Sequence, residues 1–196
     1  MMLPRPLEQA INNRFGSKRG LLNLTQARLQ QAFGRFRPHG DVNFAEVRRL
    51  VFVCSGNICR SPFGEYYARS CGLEADSYGL HTRGGDPADP RALAFAASQG
   101  IDMSDHRTCH IRDYRPLPGD LLLVMEPKQY EELESFRAGQ DWSPNVQLSI
   151  LTLFKKSPSP YLHDPFGASA EFFQYCERQV MEAVDGIRGR IDASRP

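Results

Sequence analysis

The stretch from Val51 to Pro62 constrains this 196-residue chain more than any other. It reads Val-Phe-Val-Cys-Ser-Gly-Asn-Ile-Cys-Arg-Ser-Pro. The β-branched and aromatic run that opens it suits a buried strand. The run stops at Cys54. Ser61-Pro62 can open a helix, with Ser61 as N-cap and Pro62 at the first helical position. The loop between can wrap a single tetrahedral anion, its backbone N–H groups turned inward as a nest. Gly56 and Asn57 both tolerate the positive φ that a wrapped loop requires. A helix through Phe63, Tyr66, Tyr67 and Ala68, with Gly72 as its stop, aims its positive end at the same loop.

The field that attracts a phosphate also favours a thiolate at Cys54. Arg60 supplies a planar fork that matches two phosphoryl oxygens, which a lysine would not. The candidate anion-binding residues are therefore Ser55, Gly56, Asn57, Ile58, Cys59 and Arg60, with Cys54 as nucleophile. A buried strand-end cysteine is the bland alternative. It accounts for Cys54 alone and leaves the glycine, asparagine, arginine and Ser-Pro unexplained. A thiolate that attacks a phosphoester also needs an acid for the leaving oxygen. Asp164, in His163-Asp164-Pro165-Phe166-Gly167, is the candidate. It lies on a proline-rich stretch without helical or strand period, the kind of loop that carries functional groups. Phe166 beside it can wall a slot for an aromatic ring. Taken alone, Asp-Pro is an ordinary turn dipeptide.

With Cys54-x5-Arg60-Ser61-Pro62 early and Asp164-Pro165-aromatic late, the chain resembles the low-molecular-weight protein tyrosine phosphatases from about residue 48 to about 190. Asp89-Pro90-Arg91, Gly100-Ile101-Asp102 and Leu122–Met125 fall in the family's order. The resemblance implies hydrolysis of phosphotyrosine through a phosphocysteine on Cys54. Arg60 would bind phosphate and stabilise the transition state, and Asp164 would act as general acid and then general base. Asn57 would brace the loop, the Ser61 hydroxyl would support the Cys54 thiolate, and Cys59 would be a redox partner able to form a reversible disulfide with Cys54. No cofactor or metal is implied. Likeness to bacterial members implies a tyrosine-phosphorylated partner such as a tyrosine kinase of polysaccharide export. Ser55, Gln99, Phe166-Gly167 and a short tryptophan-free segment over Asp76–Gly85 depart from common family patterns, and these bear on substrate choice.

Strand-like runs at Leu50–Val53, Leu121–Met125 and Val146–Leu151, with a weaker one near Asp76–Leu80, alternate with helical segments at Ser61–Cys71, Arg91–Gln99, Pro127–Arg137 and about Ala170–Arg188. The last carries an apolar stripe of Phe173, Cys176, Val180, Val184 and Ile187. This alternation predicts an α/β fold, a doubly wound four-stranded parallel sheet in the order 2-1-3-4 with helices on both faces. Residues 48–196 form the expected catalytic domain and residues 1–47 an N-terminal helical extension.

Net charge is +1, which gives no reason to expect nucleic acid as a partner, but the charge is unevenly placed. Residues 1–50 hold nine Arg/Lys and three Asp/Glu, whereas the remainder holds fifteen and twenty. In the extension, Leu22, Leu29, Phe33 and Phe36 make a helical stripe beside Arg28, Arg35 and Arg37, interrupted by Gly34. Three readings stand for it: a flexible or domain-packed helix, a basic amphipathic helix for an anionic membrane surface or acidic partner, and an organellar transit peptide. Only Ser17 and Thr25 are hydroxylated in the first 40 residues, against the third. Five cysteines without a disulfide-scaffold pattern fit a reducing, cytoplasmic setting. No run approaches the ~18 apolar residues of a membrane span. His106 and His110 with Cys109 have a spacing that is usually incidental rather than a zinc site. Two rival functions remain: an arsenate reductase of the same fold, which needs further relay cysteines where only Cys109 is at hand, and a non-catalytic phosphotyrosine-binding or regulatory module.

Overall fold

The computed structural model describes residues 4–140, 142 and 145–195. After helices α1 (Arg5–Phe15) and α2 (Lys18–Ala32) come strand β1 (Arg49–Cys54), α3 (Arg60–Ser70), β2 (Glu74–Gly79), α4 (Pro90–Ser98), β3 (Asp120–Val124), α5 (Pro127–Arg137), β4 (Gln147–Ile150) and α6 (Ala170–Ser194). The four strands are parallel and lie in the order β2-β1-β3-β4, as the alternation of elements predicts.

Period-two alternation along the strands divides the core into two layers. Leu50, Phe52, Leu121 and Leu123 face one side, where Phe63 of α3 and Val180 and Val184 of α6 cover them. Val51, Val53, Leu122 and Val124 face the other, with Leu133 of α5 and with Ile111 and Tyr114 from the segment before β3. Strands buried on both faces read as continuous apolar runs, which is why β1 and β3 stood out and the edge strand β2, partly exposed, did not. At the start of the sheet Arg49 ties the central strand to both neighbours, 2.6 Å from Asp76 on β2 and 2.6 Å from Asp120 on β3. Asp120 is fully buried and also accepts from the Tyr114 hydroxyl.

The helix ends follow local chemistry. Gly72 takes φ +81° just past α3, and Leu73 N–H returns to the Ala68 carbonyl at 3.0 Å, closing a Schellman motif. Helix α6 runs beyond the expected end near Arg188, because Ile191 continues its buried stripe one turn past Ile187. Helix α3 also differs at its start. It begins at Arg60, so Ser61 and Pro62 lie inside its first turn and Ser61 is not the N-cap. Pro62 is tolerated there because the first N–H groups of a helix have no partner in any case.

The extension packs onto the rest of the chain. Helix α1 lies against α6, and α2 turns its small residues inward: Gly20 and Ala27 are buried. A Cβ on Gly20 would run into the Phe15 carbonyl and come within 2.7 Å of His163 Cδ2. The apolar stripe lies elsewhere than a core-facing helix would place it. The helix stops at Ala32, before Gly34, and Leu22, Leu29 and Phe33 are 66%, 59% and 88% exposed; only Phe36 is buried. Close approach of α2 to the underlying loop uses its smallest residues, so its larger apolar ones are left facing outward. Among the described residues no helix is long and apolar enough to cross a membrane.

Candidate active site

The loop from Ser55 to Cys59 leaves β1 at its carboxyl end, where ligands bind in open parallel sheets. Of the two residues expected to take positive φ, only Asn57 does, at +57°. It is the hub of the loop. Its amide nitrogen donates to Ser61 Oγ at 3.0 Å and to Ser77 Oγ at 2.8 Å, and its Oδ1 accepts from Cys109 N–H at 2.8 Å. Its carbonyl accepts from His106 Nε2 at 2.9 Å, which fixes the proton on that nitrogen. Burial lowers the His106 pKa, so the ring stays neutral. His106 is thus a brace for the loop rather than part of a metal site. Among the described residues no cluster of His, Cys, Asp and Glu could hold a metal ion.

Cys54 Sγ is buried beneath this loop, 3.0 Å from Ser61 Oγ and 3.3 Å from the Asn57 N–H. Asn57 therefore contacts the sulfur by its backbone and Ser61 by its side chain. Among the described residues the N–H groups of Gly56, Ile58 and Cys59 have no hydrogen-bond partner. Unpaired backbone donors around one centre are what an anion nest consists of. Cys59 is buried between Ile58, Ala92 and Phe173, and burial pushes its thiol well above the ordinary range.

Arg60 is only 1% exposed. Nη1 bonds Glu126 at 2.8 Å and the Leu162 carbonyl at 2.7 Å, and Nη2 bonds Asp164 at 2.9 Å. Nε is buried with no partner. An orphaned buried donor on a guanidinium is costly, and a phosphoryl oxygen would satisfy it. Asp164, 40% exposed at its side chain, also accepts from the Phe166 N–H at 3.1 Å. Cys54, Ser55, Gly56, Ile58, Cys59, Arg60, Asp164 and Phe166 line one cavity of 160 Å³. Among the described residues Phe166 is the one aromatic side chain that lines this cavity, while Tyr66 and Tyr67 of α3 turn to Asp105 and Asp185.

Four contributors were not visible in the sequence reading. Glu126, two residues past the end of β3, holds Arg60; an acid just beyond the carboxyl end of a central strand was the available signal. His81 meets Ser55 Oγ at 3.0 Å and Glu132 at 2.8 Å. His163 lies in a chain of donors that reaches the extension. Asn23 donates to the Tyr161 hydroxyl (3.1 Å), which leaves that proton for His163 Nδ1 (2.7 Å), and Nε2–H then points to Ser17 Oγ (3.0 Å).

The fourth is Glu177 of α6, fully buried, with neither carboxylate oxygen bonded. Burial pushes its pKa up to about 8, only partly offset by Arg60. A carboxyl held protonated in the fold contributes stability that is complete below its ordinary value of 4.5 and is lost as pH rises toward 8. Buried His106 and His163, their pKa values lowered, act in the opposite sense below their ordinary 6.5. The difference between wild type and Glu177→Gln isolates the carboxyl. Urea unfolding at pH 5 and pH 8 is expected to show the variant gaining on the wild type by on the order of 2–4 kcal/mol across that interval. A constant difference would mean that Glu177 is ionised in the fold.

Residues 49–195 match the family of low molecular weight phosphotyrosine protein phosphatases. The chain belongs to that family. It is a hydrolase of phosphotyrosine monoesters that works through an active-site cysteine. It is 37% identical to the probable low molecular weight protein-tyrosine-phosphatase EpsP of Ralstonia nicotianae over 75% of this chain and 98% of that one. It is 30% identical to the low molecular weight protein-tyrosine-phosphatase Ptp of Acinetobacter johnsonii over 67% and 94%. The crystal structure of the Erwinia amylovora tyrosine phosphatase AmsI superposes with a TM-score of 0.62 at 25% identity, covering 76% of this phosphatase and 96% of AmsI. The arsenate-reductase alternative finds no support in these relatives.

Proposed function

We propose that Cys54, Arg60 and Asp164 carry the reaction, in a catalytic domain of residues 48–196 preceded by the extension 1–47. The observation that carries this is their convergence on one 160 Å³ cavity. The Cys54 sulfur attacks phosphorus and the bond to the phenolic oxygen breaks, while Asp164 gives that oxygen its proton. Water then attacks phosphorus, Asp164 takes a proton from it, and the S–P bond breaks to release phosphate. Arg60 turns its fork from Glu126 and Asp164 toward the phosphoryl group and stabilises the charge in both steps. Asn57 and Ser61 hold the loop and the sulfur. The loop from Ser55 through Arg60 supplies donors, and Phe166 flanks the phenyl ring. Cys59 is the redox partner of Cys54, its buried neutral thiol holding it in reserve.

We further propose a tyrosine-phosphorylated protein as substrate, specifically a tyrosine kinase of bacterial polysaccharide export, met in the cytoplasm. The five free cysteines support that setting. The exposed Leu22, Leu29 and Phe33 are the surface through which the extension would meet an acidic partner or anionic membrane. The reading is tested with matched peptides carrying phosphotyrosine, phosphoserine or phosphoarginine. Phosphotyrosine is expected to be favoured in kcat/KM by about 10²-fold or more, since a phosphorus held roughly an ångström out of reach costs that much. Equal rates on phosphoserine would overturn the phosphotyrosine assignment.

A further inference from the structure

We infer that α2 of the extension and α5 form the two walls of a groove that receives an acidic peptide segment flanking the substrate's phosphotyrosine, with Arg19 and Lys128 reading its carboxylates. This rests on the phosphotyrosine reading above and adds to it a preference for the residues that flank the phosphotyrosine.

A second cavity, of 630 Å³, adjoins the first. Ser55 and Asp164 line both, so a chain leaving the phosphate cavity enters it directly. One wall is a polar face of α2. Arg19, Asn23, Gln26 and Gln30 recur at the spacing of a single helical face and all line the groove. The opposite wall is α5, through Lys128 and Glu131.

What selects a ligand in the groove is which groups remain unpaired. The carboxylates that line it are already engaged: Glu126 and Asp164 share Arg60, Glu131 pairs with Arg35 at 3.2 Å and Glu132 lies 2.8 Å from His81 Nε2. Among the described residues Arg19 and Lys128 have no ion-pair partner. Both occupy the second position of their helices, and neither helix has an acidic residue in its first turn. The macrodipole disfavours a cation there. Two exposed cations, each at the wrong end of a helix, are explained if an anionic ligand lies between them and gains from both helix ends. Among the described residues the Gln26 and Gln30 side-chain amides make no hydrogen bond, and they can serve the backbone of an extended segment.

The groove is also preformed. Ser17 and Asn23 join α2 to His163 and Tyr161, the residues leading into Asp164. Gly20 lets α2 close on His163 without a side chain between. Holding the wall in place before the ligand arrives lowers the cost of binding.

The experiment uses the full chain and two phosphotyrosine peptides, one with glutamates on both sides of the phosphotyrosine and one with glutamines in their place. para-Nitrophenyl phosphate, which has no flanks, is the reference for normalising each enzyme. The wild type is expected to favour the acidic peptide by about tenfold in kcat/KM at low salt, with the ratio shrinking as salt rises. In R19E/K128E that ratio is expected to fall to one or invert. Equal wild-type rates on the two peptides, with para-nitrophenyl phosphate turned over, would overturn the groove assignment alone. So would an acidic preference that survives in R19E/K128E. No hydrolysis of any of the three would overturn the phosphatase reading and the groove with it.

Discussion

Cys54→Ser is expected to abolish turnover while leaving anion binding in place. The serine oxygen keeps the position beside Ser61 Oγ and the Asn57 N–H, but a hydroxyl is a weak nucleophile without an adjacent base. No histidine takes that role here: His106 is committed to the Asn57 carbonyl, and His163 is bonded to Tyr161 and Ser17. Arg60, the loop donors and the positive end of α3 are untouched by the change. The variant should therefore retain a phosphotyrosine peptide, measurable by fluorescence anisotropy, with para-nitrophenyl phosphate hydrolysis at background. Residual hydrolysis within about 10²-fold of wild type would exclude a phosphocysteine on Cys54.

That prediction rests on residues contiguous in sequence, which is why the sequence exposed them. From Cys54 to Pro62 the strand end, the loop and the helix start are all local, and their chemistry follows from residue type and spacing. Asn57 shows where the local view stops. Its positive φ was legible, but its partners Ser77, Cys109 and His106 come from β2 and a distant loop, and only the folded sheet brings them together. Glu177 was unreadable for the same reason, since nothing in its sequence neighbours marks a carboxyl sealed without a partner. Glu126 offered only its place past the end of a central strand, which does not show that it faces Arg60. The sheet order was legible because continuous apolar strands separated by helices leave few right-handed windings. The extension was legible as helix and misleading as to face. A large-residue stripe is the usual sign of the packed side, yet Gly20 and Ala27 take that role and Leu29 and Phe33 are exposed. Close packing of a helix onto a polar loop rewards small residues, and a hydrophobic pattern is blind to that.

Asp164→Asn is expected to reduce kcat by roughly 10²–10⁴ on a phosphotyrosine peptide, and the two steps should be affected in distinguishable ways. An amide keeps the shape and can still accept from the Phe166 N–H, now bonded to Oδ1, but it can neither give the leaving oxygen a proton nor take one from water. Expulsion of tyrosine's phenoxide is difficult without that proton, so with a phosphotyrosine peptide the first step becomes limiting and no intermediate accumulates. The nitrophenolate leaves unaided, so with para-nitrophenyl phosphate the first step survives and hydrolysis of phosphocysteine becomes limiting. Rapid-quench kinetics should then show a burst of nitrophenolate approaching one equivalent, absent with the peptide. Glu126 provides the control, since it too contacts Arg60, at 2.8 Å. As a positioning residue it should, when changed to glutamine, weaken both substrates alike without producing a burst. If Glu126→Gln gave the burst and Asp164→Asn did not, the acid would be Glu126, and the loop bearing Asp164 would serve only to hold Arg60.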